Sequence, residues 1–120
     1  MFKDSGSREK FKTGAQRDIR RGKGRMDLMP PRALLAISKI YEEGCFKYGN
    51  RNWEKGIPLH CFLDSALRHL MNFQEGKKDE PHLWMAGWNI LCLIETEERI
   101  KEGILPEELN DLPWLKENVK

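Results

Sequence analysis

The sequence predicts an all-α protein, and three observations support this fold class. Apolar residues recur at helical spacing in three segments of the 120-residue chain. No segment shows the sustained alternation of apolar and polar residues that is typical of a half-buried strand. Prolines and glycines lie between the three segments, where helices begin and end.

The first helix is expected to begin after Pro30 and Pro31, because proline suits the first helical turn. Its apolar residues run at helical spacing from Leu34 to Tyr41, and Gly49 is a natural terminator. A loop is expected to follow this helix.

The second helix is expected to begin near Pro58 and to end at Gly76, and it carries a broad apolar face. The third is expected over residues 80–102, and its first half is apolar on almost every side. A helix buried all round needs more partners than three or four helices of one chain provide. The sequence therefore predicts a homo-oligomer, either a homodimer or a homotetramer.

The N-terminal 25 residues are strongly basic, with nine Lys or Arg and three acids, although the formal charge of the chain is only +2. Residues 1–12 are expected to be a disordered basic tail, and residues 13–31 an irregular arm. Residues 13–120 are expected to form one domain. A basic arm on an acidic body favours contact with a polyanion, while a solvated tail explains the composition equally well.

The composition indicates a soluble protein of the cytoplasm. No segment has the length of a membrane span or the pattern of a secretory signal peptide. The three cysteines form no CxxC pair, which disfavours a disulfide scaffold and a zinc knuckle. No helix-turn-helix or zinc pattern indicates sequence-specific binding to nucleic acid.

Acidic residues end the first predicted helix. Glu42 and Glu43 lie near its C-terminus, where acids oppose the helix dipole. Lys47 follows Glu43 by four residues, so a surface ion pair is an alternative explanation. On the second helix, Asp64 and Arg68 also have the spacing of an ion pair.

A second polar group surrounds the start of the third predicted helix. Asp79, Glu80 and His82 cluster there, although acids in a first helical turn are ordinary capping residues. Asn89 follows His82 by seven residues on the same face and, among tryptophans, requires polar partners. On the second helix His69 lies between two leucines, where a core histidine is the commoner outcome.

Together these residues place carboxylates at the facing ends of two helices, with an imidazole and an amide along one face. Helical bundles build metal sites in this way. Oxygen-rich ligands favour Mg²⁺ or Mn²⁺ over zinc. Four basic residues are then candidates to bind the phosphates of a ligand: Lys23, Arg25, Lys47 and Arg68.

Five motifs occur in order along the chain: TGAQRD, GKGRMDLMPPRAL, EEGCFKYGNRNWEKGIP, FLDSALRH and DEPHLWMAGWN. In this order they resemble a phage-associated family, the MazZ-like dATP/dGTP diphosphohydrolases, which are related to the all-α MazG nucleotide pyrophosphohydrolases. The resemblance covers about residues 11–113. It implies a metal-dependent enzyme that cuts purine deoxynucleoside triphosphates to monophosphate and pyrophosphate and shapes the nucleotide pool of an infected cell.

MazG-like enzymes bind Mg²⁺ through an EExxE motif on one helix and an ExxD motif on the next. Phe46 occupies the position of the third acid of the first motif, and the second motif has no literal match. The resemblance implies a metal set of Glu42, Glu43, Asp79, Glu80 and His82. Glu43 and Glu80 are the candidate catalytic residues. The candidate substrate-binding residues are Lys23, Arg25, Lys47, Asn52, Trp53, Asp64, Arg68, His69 and Asn89.

Two other functions remain open. The missing third acid favours a protein that binds or sequesters a nucleotide without turnover. The basic residues 3–25 favour nucleic-acid binding, which salt would weaken steeply. Trp53 also has two interpretations, since it either contacts a base or sugar or packs on the bundle.

Overall fold

Three α-helices form the body of the protein in the computed structural model, which describes residues 3–115. Helix α1 spans Pro31–Tyr48, α2 spans Leu59–Gln74 and α3 spans His82–Lys101. The predicted all-α class and the predicted order of helices are therefore confirmed. Within the described range, no helix is long and apolar enough to cross a membrane.

The helix ends follow from local sequence. Gly49 adopts φ of 87°, a left-handed conformation that favours glycine, and its N–H donates to the carbonyl of Cys45 at 3.0 Å. This ends α1 and turns the chain into a short 3-10 helix over Asn52–Lys55. The loop thus brings the residues after α1 back toward the other helices.

Helices α2 and α3 pack as an antiparallel pair. The start of α2 meets the end of α3 in a core where Leu59 is fully buried beside Ile100 and Leu112. Burial of such a leucine side chain stabilises the fold by about 1.5–3 kcal/mol. At the opposite end of the pair, His69 of α2 lies against His82 of α3.

Helix α1 packs on α3 through aromatic rings and one close approach. The ring centroids of Tyr41 and Trp88 are 5.7 Å apart. A Cβ atom at Gly87 would lie 2.7 Å from Cδ1 of Ile37, so glycine allows the two helices to approach there. These contacts set the position of the second half of α1 over the α2–α3 pair.

The arm that precedes the body ends at Pro30 and forms a compact unit of its own. It contains an antiparallel hairpin, β1 (Arg8–Lys10) and β2 (Gln16–Asp18). Residues 8–10 lie in the segment that the sequence predicts to be disordered, so the structure corrects that expectation for them; residues 1 and 2 lie outside the described residues. The strand lacks an apolar face, which is why periodicity did not reveal it.

Candidate functional site

A cavity of about 1110 Å³ opens on the helical body. Its walls are the second half of α1, the loop that follows, two residues of α2 (Ser65 and His69), and the beginning of α3. Small-molecule sites typically have volumes of about 300–1,000 Å³, so the space suits a ligand of at least nucleotide size. Five aromatic residues line it: Tyr41, Tyr48, Trp53, Trp84 and Trp88.

Seven of the predicted site residues line this cavity. They are Glu43, Lys47, Asn52, Trp53, His69, Glu80 and Asn89. These side chains come from all three helices and from the two connections between them. The fold therefore gathers two carboxylates, a cation, an imidazole and two amides around one space.

Five predicted residues of the body do not line the cavity: Glu42, Asp64, Arg68, Asp79 and His82. Glu42 and Glu43 are both exposed, but adjacent residues of a helix point about 100° apart. Only Glu43 therefore lines the cavity. Asp64 and Arg68 form an exposed ion pair at 2.7 Å, as their spacing on α2 allows. The structure thus favours a surface ion pair for these two residues.

The two predicted residues of the arm each contact a carboxylate within the arm. Lys23 Nζ lies 3.0 Å from Asp18, and the guanidinium of Arg25 lies 2.8 Å from Asp27. The hydrogen bonds from Ser5 and Lys23 lower the pKa of Asp18. Contact of Lys23 and Arg25 with a phosphate stays a prediction.

Two imidazoles and a carboxylate meet where α2 and α3 adjoin. His69, Glu80 and His82 each offer a ligand atom, and these atoms lie within 4.8 Å of one another. The Nδ1 atoms of the two histidines are 2.9 Å apart. Two members of the predicted metal set, Glu80 and His82, are therefore together, while Glu42 and Glu43 are not part of this cluster.

Asp79 supports this cluster from outside the cavity. Its Oδ1 lies 2.9 Å from Nε2 of His82, whose side chain is almost fully buried. This hydrogen bond lowers the pKa of Asp79, so the carboxylate is ionised at neutral pH. The pKa of His69 is also lowered, chiefly because its ring is partly buried, and its neutral form is favoured. Asp79 thus contacts a potential ligand rather than the cavity.

Trp53 both packs on the bundle and lines the cavity. Its ring lies edge-on to Tyr41 at 6.1 Å and below the guanidinium of Arg99 at 5.5 Å. Glu54 holds the loop by ion pairs with Arg51 at 2.6 Å and Arg99 at 3.4 Å. The hydrogen bond from Arg51 lowers the pKa of Glu54. The indole is therefore fixed in place before any ligand arrives.

Two side chains with buried polar groups line the cavity on α3: Asn89, which the sequence predicted, and Trp88, which it did not. Asn89 is 6% exposed, and its Nδ2 donates to the carbonyl of Met85 at 2.8 Å. The Nε1 of Trp88 is buried and has no hydrogen-bond partner among the described residues. Buried indole N–H groups usually find an acceptor. Trp88 was missed because a tryptophan in an apolar helix is most simply read as core; its place directly before Asn89 was the available signal.

Comparison with known proteins gives one family. A family model described as "dATP/dGTP diphosphohydrolase, N-terminal" matches residues 13–104. That range contains the three helices and every residue that lines the cavity. No curated protein and no solved structure matches the chain.

Proposed function

Because the chain belongs to the dATP/dGTP diphosphohydrolase family, we propose that it hydrolyses dATP and dGTP to the nucleoside monophosphate and pyrophosphate. One observation carries this proposal: a single cavity combines aromatic rings, cations and two carboxylates. A purine nucleotide requires the same three kinds of contact, for its base, its phosphates and the reacting water.

The aromatic part of the cavity is suited to the nucleoside. Trp53 offers a pre-positioned ring face or edge, and base–aromatic stacking is worth about 1–3 kcal/mol per base. Asn52 precedes Trp53 on the same loop, and Asn89 of α3 also lines the cavity, so two amide groups are available to a base or sugar. The free N–H of Trp88 provides a further donor.

The polar part of the cavity is suited to the triphosphate. Lys47 lies on α1 next to the turn at Gly49 and provides a cation for phosphate oxygens. Glu43 or Glu80 accepts a proton from water as the water oxygen bonds to the α-phosphorus. The bond from that phosphorus to the bridging oxygen breaks, and pyrophosphate leaves.

The donor set fits a divalent cation, Mg²⁺ or Mn²⁺ in this proposal. Glu43, Glu80 and His69 line the same cavity, and His82 adjoins His69. When bound, such a cation neutralises phosphate charge and lowers the pKa of a bound water. Of the predicted metal set, Glu80 and His82 belong to the cluster with His69, and Asp79 is hydrogen-bonded to His82.

We further propose that the protein is a homodimer or homotetramer. Six apolar residues of α2 and α3 are 42–66% exposed in the single chain: Leu67, Met71, Phe73, Leu83, Ile90 and Ile94. Leu83, Ile90 and Ile94 share one face of α3. Ile90→Glu should therefore yield monomers by light scattering at micromolar concentration, and a monomeric wild-type protein would refute the proposal.

In an infected cell, we place this activity in the cytoplasm, where it would bias the nucleotide pool during phage replication. The test of the activity itself is incubation of purified protein with each dNTP and NTP, with Mg²⁺ or Mn²⁺, and chromatography of the products. We expect dAMP or dGMP and pyrophosphate in equal amounts, and no product with chelator. No pyrophosphate from any nucleotide would refute the enzyme proposal.

A second function, nucleotide binding without turnover, is favoured by one feature. Phe46 stands in the place of an acid and is 80% exposed. In this case dGTP would be retained by the protein and recovered intact after denaturation. The same chromatography distinguishes the two functions.

A further inference from the structure

The histidine pair has the spacing of two ligands on one metal ion. Its Nδ1 atoms, from His69 and His82, are 2.9 Å apart. Two imidazole nitrogens at about 2.1 Å from an ion and near 90° to each other are separated by about 3 Å. A carboxylate oxygen of Glu80 completes a group in which all ligand atoms lie within 4.8 Å of one another.

The buried member of the pair is already oriented. His82 is 3% exposed, and its Nε2 lies 2.9 Å from Oδ1 of Asp79. An N–H at Nε2 that donates to this carboxylate leaves a lone pair on Nδ1, the atom that faces His69. Histidine ligands in metal sites are typically oriented by a carboxylate in this way.

We propose that His69, Glu80 and His82 bind a divalent transition-metal ion such as Mn²⁺ or Co²⁺ in preference to Mg²⁺, with Asp79 positioning His82. Imidazole nitrogen suits such ions, whereas Mg²⁺ prefers an all-oxygen set that retains several waters. His69 and Glu80 line the proposed nucleotide cavity, so the ion would lie at its wall. The role of the ion in hydrolysis rests on the proposed function, but its binding does not.

A competing arrangement uses the same atoms without a metal. The carboxylate of Asp79 can accept from His82, and His82 can accept from His69, which forms a hydrogen-bonded chain that needs no ion. This chain predicts no tight metal binding. Metal titration therefore separates the two arrangements.

The experiment is titration of metal-free full-length protein with Co²⁺, followed by visible absorption, with Mg²⁺ as competitor. We expect one equivalent to bind per chain, with bands that shift from those of aqueous Co²⁺, and no displacement by millimolar Mg²⁺. His69→Gln and Glu80→Gln should each weaken binding by about tenfold or more, and Asp79→Asn by about 10–100-fold. His60→Gln is the matched control, because His60 is exposed and pairs with Asp111 on another part of the body.

Equal affinity of the wild type and the His69 variant, or easy displacement by Mg²⁺, would overturn the proposal. Circular dichroism shows whether each variant keeps its helices. Hydrolysis of dGTP without Co²⁺ binding would refute this site and leave the proposed function standing. Co²⁺ binding as expected without hydrolysis of any nucleotide would support this site and refute the proposed function.

Discussion

The two polar walls of the cavity differ in how their side chains are held. On α1, Glu43 and Lys47 are exposed, and no ion pair joins them in the described part of the chain. Behind the other polar wall, the buried His82 is hydrogen-bonded to Asp79 and lies 2.9 Å from His69, which lines the cavity. Buried polar groups must be satisfied by protein, so that wall is organised in advance, whereas the α1 wall depends on its ligand.

The largest expected effect comes from removing a carboxylate on either wall. Glu80→Gln and Glu43→Gln should each lower turnover of dGTP by a factor of about 10² or more, because a metal-linked or proton-accepting group is lost. Both residues are exposed, so the free energy of unfolding should change by less than about 0.5 kcal/mol. Steady-state kinetics and urea denaturation measure the two effects.

Glu42→Gln is the matched control for the α1 wall. Glu42 is adjacent to Glu43 but does not line the cavity, so its turnover should stay near wild type. Loss of activity in Glu42→Gln with full activity in Glu43→Gln would exchange the roles of the two residues. Full activity in both would remove the α1 wall from the mechanism.

The next effect concerns the arm. Replacing Lys23 and Arg25 together with Ala should raise KM by more than about tenfold if they bind phosphate, since a charged hydrogen bond is worth about 1.5–3 kcal/mol. The control replaces Lys10 and Lys12, two other lysines of the arm. An unchanged KM would make Lys23 and Arg25 parts of the hairpin surface only.

A smaller effect is a difference in the free energy of unfolding between substitutions on the two walls. Asn89 is buried and hydrogen-bonded, so Asn89→Ala should lower the free energy of unfolding by about 1 kcal/mol. Lys47→Ala should change it by less than about 0.5 kcal/mol, because Lys47 is exposed. Both should raise KM. Equal destabilisation by the two substitutions in urea would contradict the difference between the walls.

The last prediction concerns the accessibility of two cysteines to a thiol reagent. Burial raises the pKa of Cys92 to about 11, so at pH 8 it is a protonated, inaccessible thiol. Cys45 is exposed and lines the cavity on α1. A thiol reagent at pH 8 should therefore modify Cys45 in the native protein and Cys92 only after unfolding, and nucleotide should slow modification of Cys45. Mass spectrometry of the labelled peptides measures the order of modification. Labelling of Cys92 in the native protein as early as Cys45 would contradict the prediction and show that α3 opens readily.

The helices could be predicted because their signals are local. Apolar spacing and the breakers at Pro31, Gly49 and Gly76 act within a few residues, and the structure confirms the helices they delimit. The hairpin could not be predicted in this way. Its strands carry charged residues, and the ion pairs of Arg8 with Asp18 and of Arg20 with Glu9 form only after the chain has turned.

The site was only partly predictable, for a related reason. Helical rotation distinguishes Glu43 from Glu42, but the sequence does not reveal which face meets the cavity. The contact between His69 and His82 depends on how α2 and α3 pack, so His69 was expected to contact substrate rather than to join a metal cluster. Trp88 carried no signal in periodicity, since its ring packs like core while its N–H stays free.

The central claim is that one cavity holds a purine nucleotide and a divalent ion between its two walls. Its most direct test is a crystal structure of the protein with Mn²⁺ and a dGTP analogue whose α–β bridge resists hydrolysis, with Mn²⁺ located by anomalous scattering. We predict the base beside Trp53 and Trp88, the phosphates near Lys47, and the ion at Glu80 with His69 and His82. A nucleotide bound elsewhere, or an ion that contacts none of these side chains, would contradict the claim.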